Sequence, residues 1–172
     1  MRVLAVDPGL TRCGVAVVEG EPGNQANLLH VDVLTTATDE THANRLLFIA
    51  TGVESLIAEY KPEVVAIETV FSQHNLRTVI GTAQAAGVVM LAAARSGINV
   101  ATHTPTEVKA AVTGSGRASK DQVATMVTKI FRLRVTPRPV DATDACALAL
   151  CHVWRGGMQA KLVQAQARFM SK

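Results

Sequence analysis

The chain has 172 residues, 48% of them hydrophobic and 18% charged, with a net charge of +3. That is enough apolar material for one buried core without covalent or metal staples, and too much for a disordered chain. Its three cysteines, Cys13, Cys146 and Cys151, have no CxxC spacing, which speaks against a disulfide framework or a zinc ribbon and for buried free thiols in a reducing compartment.

Residues 2–7 and 13–19 are valine-rich runs joined by a turn containing Pro8-Gly9, a pattern that predicts a β-hairpin. Residues 27–36 predict a third, weaker strand after Glu21-Pro22-Gly23-Asn24. From Thr41 to Tyr60 the apolar positions Leu46, Leu47, Ile49, Ala50, Val53, Leu56 and Ile57 fall on a helical stripe that Pro62 stops. Val64–Ile67 is a continuous apolar run ending at Glu68, as expected for a strand covered on both faces. Residues 75–95 predict a long helix rich in Gly and Ala, and 98–102 a fifth strand. Thr104-Pro105 starts a helix, Ser119 opens another to about Phe131, and Asp141 begins the last strong helix. Gly156-Gly157 is expected to end that helix and leave residues 158–172 as a weakly amphipathic tail, so that 1–157 is the single domain.

Arg2 is followed by only a short apolar run that Asp7 interrupts, so no signal peptide is expected. The longest apolar stretch, Val79–Ala94, is broken by Thr82 and Gln84 and is too short to span a bilayer. A soluble, cytoplasmic protein is the expectation, with no membrane partner.

Charge is unevenly spread. Residues 1–104 carry a net −4, residues 105–140 a net +5 and residues 141–172 a net +2. A basic block on a near-neutral protein suits either a polyanionic partner or a solvated helix face.

Four carboxylates stand at the ends of predicted elements: Asp7, Glu68, and the pair Asp141 and Asp144 at the start of the last helix. Each has an ordinary explanation. Asp before Pro-Gly is turn chemistry, a strand-end Glu reaches for solvent, and acids in a first helical turn favour the helix dipole. Together they suggest more. Asp7 and Glu68 interrupt otherwise apolar strands, where unpaired carboxylates would be driven to protonate unless a cation held them. The i, i+3 spacing puts Asp141 and Asp144 on one helix face. Oxygen ligands without a His/Cys cluster favour Mg²⁺, with Mn²⁺ able to substitute, and such ions suit phosphodiester hydrolysis. The basic block would then hold the nucleic-acid backbone that the acids alone repel.

Leu4-Ala5-Val6-Asp7-Pro8-Gly9 with its hairpin, Ala66-Ile67-Glu68-Thr69-Val70-Phe71, the Gly81–Gly87 segment, Val108-Lys109 with Gly114-Ser115-Gly116 and Lys120, and Asp141-Ala142-Thr143-Asp144-Ala145 occur in an order that resembles the RuvC family of bacterial Holliday-junction resolvases. The resemblance covers essentially the whole chain. It implies a ribonuclease-H-like α/β fold, a five-stranded mixed sheet flanked by helices. It further implies that Asp7, Glu68, Asp141 and Asp144 are the catalytic, metal-binding acids of a homodimer that nicks four-way junction DNA alongside the branch-migration proteins RuvA and RuvB. Phe71, in a polar loop beside Glu68, would either stack on bases at the junction or plug the loop from beneath. Arg77, Lys109, Arg117 and Lys120 are candidate phosphate contacts, the two lysines matching basic positions of the family; each is otherwise a solvated charge. The small-residue helix of 75–95 is the candidate dimer surface. The five histidines share no ligand spacing; most read as surface or polar filler, with His74 the one placed to approach DNA.

Three other readings stand beside this one, the first a catalytically silent junction-binding module. A related ribonuclease-H-like nuclease could act on RNA or duplex DNA. The Asp-x-Gly hairpin also resembles the phosphate-binding hairpin of actin- and Hsp70-type ATPases, which enclose nucleotide between two lobes where this length supplies one.

Overall fold

Strands β1 (Arg2–Asp7), β2 (Arg12–Glu19) and β3 (Asn27–Thr35) form an antiparallel meander, and β4 (Val64–Glu68) and β5 (Asn99–His103) extend it in parallel beyond β1. The order across the sheet is β3-β2-β1-β4-β5. The computed structural model describes residues 1–69 and 76–170, with 76–78 and 156–170 as helical backbone alone.

Strand periodicity divides the apolar side chains between two cores. Leu4 and Val6 of β1, with Val15, Val17, Val65 and Ile67, pack beneath helices α1 (His42–Tyr60) and α2 (Leu76–Arg95). Val3 and Ala5, with Ala16, Val18 and Ala66, face the other way, against α3 (Pro105–Thr113), α4 (Lys120–Ile130) and α5 (Val140–Met170). Both faces of β1 are therefore covered, and Val3, Leu4, Ala5 and Val6 have no exposed surface. Each such aliphatic side chain larger than Ala contributes roughly 1.5–3 kcal/mol on burial, so β1 is strongly fixed within the sheet. Counting on by two from Val3 and Ala5 puts Asp7 on the α5 side, and counting from Ala66 puts Glu68 there too.

The helix starts are locally encoded. Thr41 caps α1 by accepting from the Asn44 amide, while Thr104 with Glu107 and Ser119 with Gln122 form reciprocal capping boxes for α3 and α4. Lys61, in the left-handed region at φ 48°, closes α1 just before Pro62. These caps fix where α3 and α4 begin, and hence where Lys109 and Lys120 are carried.

The expected five strands and their neighbouring helices are all present. One boundary differs: α5 does not stop at Gly156-Gly157 but continues to Met170. Two glycines cost about 1 kcal/mol each in a helix interior but, unlike proline, leave every backbone donor in place. The run Met158-Gln159-Ala160-Lys161-Leu162 beyond them is made of good helix formers. Among the described residues no helix is long and apolar enough to cross a membrane.

Candidate active site

β1 and β4 run in parallel with Val6 beside Ile67, so their last residues, Asp7 and Glu68, end side by side on the α5 face. β4 is held in line to its tip because the Thr69 amide donates to the carbonyl of His103 on β5, 2.8 Å away. Asp7 lies opposite Gly14 of β2. That glycine has a defined purpose: a Cβ there would overlap the carbonyl oxygen of Asp141. The first turn of α5 comes down onto the sheet through the space where any other residue would put a side chain. Thr143, buried in the same turn, donates to the carbonyl of Pro137 at 2.8 Å and ties the entering chain to the helix.

The two helical acids are flanked by cations from opposite sides. Arg12 Nε stands 3.1 Å from Asp141 Oδ2, and Lys120 Nζ stands 2.9 Å from Asp144 Oδ2. Two grooves meet the acids there. One, of about 370 Å³, lies between the β1–β2 turn and α2 and reaches Arg12 and Asp141. The other, of about 660 Å³, lies between α4 and the approach to α5 and reaches Lys120, Arg138 and Asp144.

The four carboxylates act on one another electrostatically. Asp7 is pushed up to about 8, first by burial and then by the charges of Glu68, Asp144 and Asp141, against a smaller opposing pull from Lys120. Glu68 is also raised, by burial first and Asp144 next, while Lys120 and Lys109 pull it down. Lys120 is held above its ordinary value, chiefly by its hydrogen bond to Asp144.

Among the described residues no three His, Cys, Asp or Glu side chains stand as placed in a grouping that would hold a metal ion, since Asp141 and Asp144 are turned to Arg12 and Lys120. The donor chemistry nevertheless fits a hard divalent cation. The set is oxygen-only, and Asp7 is a half-buried acid that desolvation and then three like charges push toward protonation, the electrostatic deficit that such a cation offsets. Bringing all four oxygens onto one ion takes rotation of Asp141 and Asp144 away from their present partners.

The remaining candidates divide. Lys109 is half-buried and close enough to Glu68 to act on its charge, and Lys120 touches the cluster. Arg117 is exposed on the α3–α4 loop, lining a different concavity with Thr113 and Gln122, and is not drawn to the acids. Phe71, His74 and the side chain of Arg77 lie outside the described residues. All three cysteines are buried and free, with thiols pushed up to about 11 or 12 mainly by burial.

His103 and His152, two of the histidines read as surface or polar filler, form a buried pair joining β5 to α5, Nε2 to Nδ1 at 2.9 Å. Burial lowers both, His152 to about 4, so both rings stay neutral and share one hydrogen bond. Sequence spacing gave no sign of this, because the residues are 49 positions apart. Arg12 and Gly14 were also missed. The only cue to Gly14 was a glycine interrupting a valine-rich strand, a mark of close backbone approach.

Acids at the tips of the two neighbouring parallel strands β1 and β4, beside a second pair on a crossing helix, are the arrangement of a ribonuclease-H-like nuclease. The family model described as crossover junction endodeoxyribonuclease RuvC matches residues 3–152. The chain is 59% identical over 172 residues to the crossover junction endodeoxyribonuclease RuvC of Streptomyces avermitilis, covering 100% of this chain and 98% of the relative. It is 58% identical to that of Salinispora arenicola, covering 98% and 96%. The solved structure of Thermus thermophilus RuvC in complex with a Holliday junction substrate superposes with a TM-score of 0.88 at 35% identity, covering 92% of this chain and 96% of that one. The chain belongs to the RuvC family.

Proposed function

We propose that this chain is a structure-selective endonuclease that resolves four-way DNA junctions by paired hydrolytic nicks, in recombination and repair in the cytoplasm. The observation that carries the reading is the meeting of Asp7 and Glu68, at the tips of β1 and β4, with Asp141 and Asp144 on α5, whose charges act on the two strand acids, in a chain of the RuvC family. These four would hold Mg²⁺, with Mn²⁺ as a substitute. When bound, such an ion lowers the pKa of water and stabilises charge on a phosphodiester.

The chain's own residues supply the rest. β1 and β4 fix Asp7 and Glu68 on a rigid frame, so little reorganisation remains for the reaction itself. Lys120, on the capped first turn of α4, neutralises Asp144 now and can stabilise the scissile phosphate's charge. Lys109 lowers the cost of ionising Glu68. Phe71 and Arg77 are further proposed DNA contacts, and Arg117 a peripheral one on the α3–α4 loop. No covalent intermediate on the protein is invoked, and water is the nucleophile.

A two-fold junction asks for two sites related by a two-fold axis. The face of α1 and α2 turned away from the sheet supports a homodimer. Ile80, Met90 and Leu91 of α2 and Leu47 of α1 are large apolar side chains left exposed, and Gly87 among them opens on space. His42 meets Gln84, and Glu54 meets Arg95. The two helices therefore run side by side, with Leu47 one heptad before Glu54 and Leu91 one heptad after Gln84 on their shared ridge. RuvA and RuvB are the proposed branch-migration partners.

The test is a nicking assay on a mobile four-way junction, a linear duplex and an RNA–DNA hybrid, each with Mg²⁺ and with EDTA. Paired nicks confined to the junction and lost in EDTA are expected. Equal cutting of linear duplex would overturn the resolvase reading, and activity in EDTA would overturn the metal mechanism.

A further inference from the structure

Arg12 is the cation of the site that lies outside the basic block. It is the first residue of β2, its side chain is more than half exposed, and among the described residues its one charged partner is Asp141. The pair is formed through Nε. A guanidinium has five donors in a planar fork, so donors remain available beside this ion pair. No hydrogen bond from either Nη occurs among the described residues.

The turn that carries Arg12 is rigid for its length. A Cβ on Gly9 would overlap the carbonyl oxygen of Arg12, so only glycine permits this tight a turn. Thr36 donates to the Leu10 carbonyl at 2.6 Å. Arg45 then spans both sides, donating from Nε to Thr36 Oγ1 at 2.9 Å and from Nη2 to Thr11 Oγ1 at 2.7 Å. A surface turn that needed only to reverse the chain would not require an arginine brace from α1.

Arg12 also lines the smaller groove, together with Gly9, Leu10, Thr11, Gly81, Thr82 and Asp141. Two glycines and two threonines, with no acid besides Asp141, suit a sugar-phosphate backbone, which needs close approach and hydrogen-bond donors. The larger groove, which reaches Asp144, carries the cations Lys120 and Arg138 alongside Asp121. A single strand crossing the acids from one groove to the other meets a cation on each side.

We infer that Arg12 grips a phosphate of the strand being cut, in the groove between the β1–β2 turn and α2, on the opposite side of the acids from Lys120. The inference rests on the junction-nuclease reading. Asp141 orients the fork, and the fork offers two parallel N–H donors to the phosphate oxygens. The two sides then hold the scissile phosphate over the carboxylates, which by themselves would repel it.

The experiment measures binding of a fluorescent four-way junction by anisotropy in EDTA across a salt series, for the wild type, R12A, R12Q and R12K. R95A, which removes an equal charge at the far end of α2, is the control. R12A and R12Q are expected to weaken binding about tenfold and to reduce the salt slope by roughly one unit per protomer. R12K is expected to recover the slope but not the full affinity, since an ammonium lacks the fork. R12A should bind Mn²⁺ without DNA at least as tightly as the wild type, because Asp141 loses a competing cation. The inference is overturned if R12A and R12Q bind the junction like the wild type, if R95A loses as much as R12A, or if R12A loses Mn²⁺ affinity, which would make Arg12 an organiser of the acids. If the wild type itself shows no preference for the junction over duplex, the junction reading fails, not the phosphate contact.

Discussion

Gly14 lies directly beneath Asp141, so close that a methyl group on Gly14 would occupy the position of the Asp141 carbonyl oxygen. The pairing of Asp7 with Gly14 across β1 and β2 makes this the point where the crossing helix is brought to the strand acid. Backbone cannot yield as the tip of a flexible side chain can. Gly14→Ala is expected to lift the first turn of α5, costing about 1–3 kcal/mol by overpacking and reducing cleavage much more than junction binding. Denaturant unfolding and the nicking assay read the two effects separately, and an active G14A of normal stability would refute the close-approach argument.

Asp7 makes the apo protein sensitive to rising pH. Its carboxyl is raised from 3.8 to about 8 in the folded chain, so the folded state binds the proton more tightly than the unfolded state between those values. That contribution is present in full below about pH 4 and is lost as pH climbs toward 8; the upper bound is on the order of 5 kcal/mol. In EDTA the melting temperature should therefore fall from pH 6.5 to pH 8, above the range in which the histidines titrate. Asp7→Asn should flatten this dependence, melt higher than the wild type at pH 8, keep junction binding and abolish cutting. A D7N protein that cuts normally would remove Asp7 from the chemistry.

The His103–His152 pair has the opposite dependence. A base lowered on folding contributes stability that is complete above its unfolded value near 6.5 and is lost as pH falls toward the folded value, about 4 for His152. The loss across that window is on the order of 3 kcal/mol. NMR titration should find both imidazoles titrating below the ordinary value, and the Asp7→Asn protein, which lacks the opposing Asp7 contribution, should unfold more easily in urea from pH 6.5 downward. An ordinary titration of either ring near 6.5 would contradict the buried pair.

Leu91, half exposed on α2, sits on the ridge shared with Leu47. Leu91→Asp should place a charge in the proposed dimer face and weaken self-association at least a hundredfold, equivalent to about 3 kcal/mol, without loss of helical content. Sedimentation equilibrium reads the first and circular dichroism the second. The monomer should still bind DNA but lose the coupling between the two nicks. A dimer as tight as the wild type would exclude this face.

Much of the fold was legible in the sequence because it is written in local terms. Alternation and apolar runs marked β1, β2 and β4, and proline and hydroxyl caps marked α1, α3 and α4. Asp7 and Glu68 could be singled out because a carboxylate closing an apolar strand breaks a local rule. Asp141 and Asp144 were legible as a pair because a helix period places them on one face. The end of α5 was misread because glycine pairs are ambiguous: they weaken a helix without forbidding it, and nothing local decides which outcome prevails.

What the sequence by itself determined is therefore which residue types stand at which ends of which elements. Only the tertiary structure decided that α5 crosses the sheet low enough to bring its acids to Asp7, since that depends on an absent side chain at Gly14, 127 positions from Asp141. It also decided that Arg12 and Lys120 flank the acids and that His103 and His152 share a hydrogen bond. The physical reason is common to all three. Periodicity and capping act over a turn or a strand, whereas charge pairing and steric approach depend on distance in space, which only the folded sheet sets.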